Sequence, residues 1–266
     1  DAQADLPKRL MDEKPDVALL ALHGKYAEDG IVQGICEYLR IPYSGSGVLG
    51  SSLCMDKILT KKILRFHSIP SAAFEIVDAR CTDLKTYQTQ IPLPFVVKPS
   101  REGSSVGVTI CKELSQLPSA LVLAAKSDYD ILIESFLEGP EITVPVLKDR
   151  ALTPIEIRPY EGFYDYSNKY TAGKTEYLLP PSLPVEMIQK LKDLALKTHQ
   201  ILRARTYSRV DFRMHQAQPF VLEVNTLPGC TPTSLFPKSA MHDGIEFTKL
   251  IETLVEEATL DYAGVK

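Results

Sequence analysis

The densest run of chemically competent side chains is SRVDFRMHQAQPFVLEVNT, residues 208–226. Side chains alternate faces along a strand, so Arg209, Asp211 and Arg213 share one side while Val210, Phe212 and Met214 share the other. On a returning strand Glu223 and Asn225 share a face, and Phe220, Leu222 and Val224 line the opposite one. A turn at Gln216-Ala217-Gln218 sets Asp211 opposite Glu223 and Arg209 opposite Asn225, with Cβ atoms about 5 Å apart. Two carboxylates that close repel unless a cation lies between them. Oxygen-only donors select Mg²⁺ or Mn²⁺ over zinc. A solvated polar face with a surface ion pair is the plainer alternative. The Gly/Pro-rich turn that follows, TLPGCTPTS, favours the metal, because such a turn can approach a ligand closely.

Three shorter motifs carry weaker signals. In PFVVKPSREGSSVGV a strand ending at Lys98 feeds a turn of small residues whose backbone N–H groups can converge on an anion. It lacks the G-K-[ST] ending of a P-loop, and a plain surface hairpin fits it equally well. In IESFLEGPEITV, Glu134 and Glu141 flank Ser135-Phe136-Leu137 and offer acceptors for a nucleobase amino group and a ribose diol; solvated charges at an ordinary strand end are the alternative. His23-Gly24 follows the first predicted strand, and Glu28, five residues on, is placed to fix the histidine's tautomer, unless that histidine is merely structural.

These residues need elements to position them. Val17 to Leu22 reads as a buried strand, Gly30 to Leu39 as a helix, and Ile41 to Ser52 as a Gly/Ser-rich lobe boundary. Asp56 to Phe66 is helical. Strands AAFEIV, PFVVKP and VGVTIC follow, then a helix from Leu114 to Ala125 and the strands DILIESFL, EITVPVL and LTPIEIRPY. A polar, aromatic loop spans Glu161 to Lys174, a length usually reserved for function or disorder. Helices over Pro184 to Leu202 and Gly244 to Ala258 bracket the hairpin. Mixed elements in three blocks predict an α+β, multi-lobed enzyme.

Composition agrees. The 266 residues are 44% hydrophobic and 24% charged with a net charge of −4, which excludes disorder and disfavours nucleic acid or an anionic membrane as the main partner. No apolar run approaches the roughly 20 residues a membrane span needs. The opening DAQADLPKRLMDEKPD lacks the pattern of a signal peptide, and a start at Asp1 suggests trimming or processing. Five scattered cysteines without C-x-x-C spacing argue for a reducing, cytoplasmic compartment and against a disulfide framework or zinc site.

Taken in order, LHGKYAEDGIVQG, IPYSGSGVLGSSLCMDK, VVKPSREGSSVGV, GFYDYSNKYTAGKTEY, RVDFR, LEVNTLPGCT and SLFPK resemble the D-alanine–D-alanine ligase family of ATP-grasp enzymes. The resemblance runs from Val17 to the closing helix. It implies an ATP-grasp fold of three lobes, residues 1–45, 46–134 and 135–266, with the first strand and helix of the N-terminal lobe missing. Lys57, Lys98 and Lys169 are implied at ATP, with Glu134 and Glu141 at adenine and ribose, Phe163 packed on the base, and backbone groups of Ser135, Phe136 and Leu137 lining it. Asp211, Glu223 and Asn225 are implied ligands of two Mg²⁺ ions, or Mn²⁺. His23, Glu28, Ser104, Tyr170, Ser234 and Leu235 surround the substrates, and Arg209 with the Gly229 N–H stabilises an oxyanion.

The implied reaction is ADP-forming ligation of two D-alanine molecules through an acyl phosphate, for peptidoglycan, by a homodimer. The alternatives are a different second substrate, such as D-lactate or D-serine, or an impaired nucleotide-binding homologue. The Lys169-Tyr170 pair favours the dipeptide over the D-lactate ester. Departures from the family pattern are the missing N-terminal glutamate-bearing segment, Lys25-Tyr26-Ala27 in a usually glycine-richer loop, and Ser208 where glycine normally precedes the arginine. Cys230 stands where methionine is common, and a thiol beside Arg209 and a metal is expected to have a lowered pKa and to be protected from alkylation by ligands.

Overall fold

The computed structural model describes residues 5–103, 106–160 and 175–262. Helix α1 (Leu6–Glu13) lies where no element is expected from the residue pattern. Pro7 falls in its first turn, where a missing N–H does no harm, and Lys8–Asp12 and Arg9–Glu13 pair one turn apart. The N-terminal lobe therefore has a helix ahead of Val17. The expected strand from Val17 to Leu22 is corrected to an extended segment with a single bridge, Ala18 to Tyr43. Ala18 N–H donates to the Pro42 carbonyl at 2.8 Å, and Leu20 is buried, so packing rather than a ladder holds the segment.

Helix α2 (Ile31–Leu39) forms as expected, while half of the proposed Gly/Ser boundary is helical, as α3 (Val48–Met55). Helix α4 (Lys57–Phe66) starts sharply because the Asp56 carboxylate accepts the Ile58 and Leu59 N–H groups, each at 3.0 Å. Strands β1 (Phe74–Asp78), β2 (Phe95–Pro99), β3 (Thr109–Cys111) and β4 (Asp130–Ser135) make an antiparallel sheet in the order β1-β4-β2-β3. Helix α5 (Leu117–Ala125) covers it through Leu117 and Leu121, against Phe95, Val97, Ile131 and Ile133.

A second sheet holds β5 (Glu141–Leu147), β7 (Ile155–Pro159), β8 (Thr175–Leu178), β9 (Tyr207–His215) and β10 (Gln218–Asn225), in the order β10-β9-β5-β7-β8, with the short β6 (Arg150–Ala151) on β5. Helix α6 (Val185–Ile201) packs Leu191 and Ala195 onto Ile142, Val144, Val210 and Phe212. Helices α7 (Leu235–His242) and α8 (Phe247–Glu256) close a separate core around Tyr43, Tyr207, Phe236 and Leu250.

The β9–β10 hairpin sets the register of the site. Its tip is two residues, Gln216 and Ala217, both at positive φ (48° and 60°), the twist a tight hairpin prefers. The tip is one residue shorter than expected, and a bulge between Val221 and Glu223 adds that residue back. Asp211 therefore does face Glu223, and Arg209 faces Asn225. The expected apolar face of β10 is corrected. Val221 and Val224 enter the core, whereas Phe220 pairs with Arg213 and Leu222 turns to the cleft.

Candidate active site

Two clefts meet where the sheets adjoin. The first is lined by Val96, Lys98, Glu134, Phe136, Leu137, Glu141, Arg213 and Leu222. The second is lined by His23, Glu28, Ile157, Tyr177, Arg209, Asn225, Gly229, Cys230, Ser234 and Leu235. Lys57, Glu102, Gly103 and Glu223 border both. An anionic group at that shared wall would touch each cleft at once.

Lys57 is the first residue of α4, so its position is set by the Asp56 cap. Its ammonium donates to the Glu102 carbonyl at 2.6 Å and lies 3.4 Å from the Glu223 carboxylate. The root of the small-residue turn is clamped by Arg101, which donates to Asp128 at 2.6 Å and to Asp130 at 2.8 Å. Ser104 of that turn lies outside the described residues, as do Phe163, Lys169 and Tyr170 of the long loop.

At the first cleft Glu134 is buried, and both its oxygens are taken, one by Lys98 and the other by Lys61 at 2.8 Å. Burial pushes its carboxyl pKa up, but the two ammonium groups outweigh this and hold it at about 2. Glu134 is therefore a charge hub, not the free acceptor for a base that its sequence position suggests. The Ser135 and Phe136 N–H groups are likewise committed, to the carbonyls of Ala73 and Pro94 at 2.9 and 3.1 Å. Glu141 stands opposite Arg213 on β9 and accepts from its guanidinium at 2.9 Å. Gly139 makes that approach possible: its φ is +127°, and a Cβ there would sit 1.9 Å from the Met214 carbonyl.

On the hairpin face Arg209 donates to both oxygens of Asp211, at 3.0 and 2.9 Å, because residues two apart on a strand share a side. Thr143 and the Asn225 amide complete the shell around Asp211, at 2.6 and 3.0 Å. Repulsion between Asp211 and Glu223 is thus relieved within the protein, by Arg209 for one and Lys57 for the other, and it does not by itself demand a metal. The donor chemistry does fit a hard divalent cation. Asp211 and Glu223 offer carboxylate oxygens, and the Asn225 amide offers its oxygen once turned end for end. Among the described residues no cluster of three or more His, Cys, Asp or Glu side chains forms a metal site.

At the second cleft Glu28 accepts the Gly24 N–H at 2.7 Å, so its hydrogen bond goes to the backbone and not to the His23 ring. Burial raises its pKa, with His23 and Arg209 opposing. Lys25 pairs with Glu102 and donates to the Ser127 carbonyl at 3.2 Å, which ties the loop after His23 to the turn at the shared wall. Gly229 packs so closely under Ser234 that a Cβ would lie 2.9 Å from its hydroxyl. Ser208 points into the interior, 2.7 Å from His199 Nδ1, on the face away from Arg209, so it leaves the approach to the arginine unchanged. Cys230 corrects the expectation of an acidic thiol: burial pushes it up to about 11.

Lys61, Arg213, Leu222, Glu102 and Tyr177 join the site with no role foreseen for them. Lys61 had a legible signal, four residues after Lys57 on the same helix face. Leu222 had none, since only the bulge brings it round.

Comparisons with known proteins agree over nearly the whole chain. The family described as "D-ala D-ala ligase C-terminus" matches residues 62–256, and "D-ala D-ala ligase N-terminus" matches residues 3–46. A D-alanine–D-alanine ligase of Geobacter sulfurreducens is 46% identical over 99% of this chain and 84% of its own. That of Desulforamulus reducens is 42% identical over 97% and 86%. The crystal structure of the Bacillus anthracis D-alanine–D-alanine ligase complexed with ATP superposes with a TM-score of 0.83 at 37% identity, covering 94% of this chain and 82% of that one.

Proposed function

Because the chain belongs to the D-alanine–D-alanine ligase family, we propose that it joins two D-alanine molecules at the expense of ATP, forming ADP, phosphate and D-alanyl-D-alanine for peptidoglycan. The observation that carries this reading is the shared wall. Lys57, Glu102, Gly103 and Glu223 border one cleft that holds Lys98 and Glu141 and, on the other side, a second that holds Arg209 and Gly229. A phosphoryl group can pass from a molecule in one to a molecule in the other across that wall.

In the first cleft Val96, Phe136, Leu137 and Leu222 sandwich the base, and Glu141, steadied by Arg213, accepts from the ribose hydroxyls. Lys57 and Lys98 hold the phosphates. Asp211, Glu223 and Asn225 would hold Mg²⁺ or Mn²⁺, two ions in all, which when bound neutralise charge on the phosphoryl oxygens. In the second cleft one D-alanine carboxylate attacks the γ-phosphorus; its oxygen bonds to phosphorus, and the bond to ADP breaks. The amine of the second D-alanine then attacks the acyl carbon, and phosphate leaves. Arg209 and the Gly229 N–H face the oxyanion of that step, an arrangement often worth about 3 kcal/mol per donor. Phe163 on the base, Lys169 at ATP, and Ser104 and Tyr170 at the substrates complete the proposed set; all four lie outside the described residues.

The division at about residues 45 and 134 is part of this reading, supported by the change of sheet between β4 and β5. So is a cytoplasmic homodimer; among the described residues no helix is long and apolar enough to cross a membrane. The test is a coupled ADP-release assay with D-alanine, D-lactate and D-serine in competition. Equal amounts of ADP and D-alanyl-D-alanine are expected. ADP release that ignores D-alanine would sink the ligase reading, and predominant ester or D-serine product would overturn the substrate alone.

A further inference from the structure

Behind the wall of the nucleotide cleft lies a group that the reaction does not use. Lys61 is fully enclosed, under the ring of Phe74 with its ammonium 5.8 Å from the ring centre, and it lies 2.8 Å from the Glu134 carboxylate. Glu134 in turn binds Lys98, the lysine that borders the cleft. A buried lysine is rare without a purpose, because burying an ammonium is costly even when it is paired.

Charge counting shows what Lys61 contributes. Lys98 with Glu134 alone is a neutral pair and offers a polyanion little attraction. With Lys61 included, the cluster carries one net positive charge. That sum holds whether the proton between Lys61 and Glu134 sits on nitrogen or oxygen, since moving it changes no total. Lys61 also takes one Glu134 oxygen, leaving the other to fix the Lys98 ammonium at the cleft wall.

We propose that Lys61 is a positioning residue that offsets the charge of Glu134 so that Lys98 presents an uncancelled positive charge to the phosphates of the bound nucleotide. The inference rests on the nucleotide-binding reading above and deepens it. It predicts discrimination by phosphate charge, since a unit charge held in a low-dielectric wall acts on phosphates and hardly at all on a neutral nucleoside.

The test compares ADP with adenosine by titration calorimetry. In Lys61→Met, ADP should bind roughly tenfold more weakly, with adenosine changed less than about twofold. The double variant Lys61→Met/Glu134→Gln again has one net positive charge and should regain most of the ADP affinity. Glu134→Gln alone keeps an acceptor oxygen and leaves the cluster with at least the one positive charge of Lys98, whether or not the buried Lys61 keeps its proton, so ADP should keep its preference over adenosine. That arm stands even if Lys61→Met fails to fold. Equal weakening of ADP and adenosine, no rescue in the double variant, or loss of ADP preference in Glu134→Gln would each overturn the proposal. If the unmutated chain binds no adenine nucleotide, the ligase reading falls and this inference with it; nucleotide binding that ignores Lys61 overturns the inference alone.

Discussion

Glu134 and Glu223 are both strand glutamates bordering one cleft, and the fold treats them oppositely. Glu134 has 5% of its side chain exposed and sits between two lysines. Glu223 has 30% exposed, and its lysine, Lys57, stands 3.4 Å away. The first carboxylate is committed to holding the protein's own charges in place. The second presents part of its surface to both clefts. Exposure separates the two roles, although residue type and position on a strand do not.

The largest effect expected from this contrast is on activity. Glu223→Gln removes a donor charge while keeping shape, so ADP release should fall by roughly a thousandfold, about 4 kcal/mol in barrier, with unfolding midpoints nearly unchanged. Retained turnover at ordinary Mg²⁺ would refute a metal on this face. Glu134→Ala should fail the other way. It leaves Lys61 buried without a counter-ion, and denaturant unfolding should show a loss of about 3–5 kcal/mol. A stability loss at position 223 as large as that at 134 would erase the distinction.

Acid sharpens the comparison with a smaller signal. The Glu134 carboxyl is depressed from 4.5 to about 2 in the folded chain. Its contribution to stability is thus complete above about pH 4.5 and is lost as pH falls toward 2. Thermal melts should therefore steepen in their acid dependence between those limits, and Glu134→Gln should flatten that slope. An identical slope in the variant would show that Glu134 carries no such share. Smallest is the effect at Cys230. With its thiol pushed up to about 11, iodoacetamide at pH 8 should label it far more slowly than the exposed Cys81. Preferential labelling of Cys230 would restore the reactive thiol that the sequence suggests.

Much of the site was legible from alternation alone. Arg209, Asp211, Glu223 and Asn225 fall on one face because strand periodicity is 2, and Val210, Phe212 and Met214 go into the core for the same reason. What alternation misses are the places where periodicity breaks or charges pair at long range. The bulge turns Leu222 outward, and nothing in VLEVN announces it. Glu134 looked like a solvent-facing acceptor because the lysine that buries it lies 73 positions earlier, on a helix the strand pattern does not see. Val17 to Leu22 has a strand's composition but lacks a neighbouring ladder, and α1 was hidden in a charged opening segment whose helical ion pairs appear only at four-residue spacing. Ser208 looked threatening beside Arg209, yet adjacent strand residues face apart.

The bulge in β10 has a practical consequence for anyone wishing to alter this protein. It uncouples the tip of the hairpin from its base. A label or short peptide grafted between Gln216 and Ala217 would lengthen a solvent-side end and leave the spacing from Glu223 back to Asp211 set by the strands below. Deleting Leu222 would remove only the residue that has no partner on β9. Val221 would stay opposite Phe212, Glu223 would follow it directly and still face Asp211, and the first cleft would lose one apolar side chain. The pairing of the two carboxylates therefore survives both a longer tip and a straightened strand.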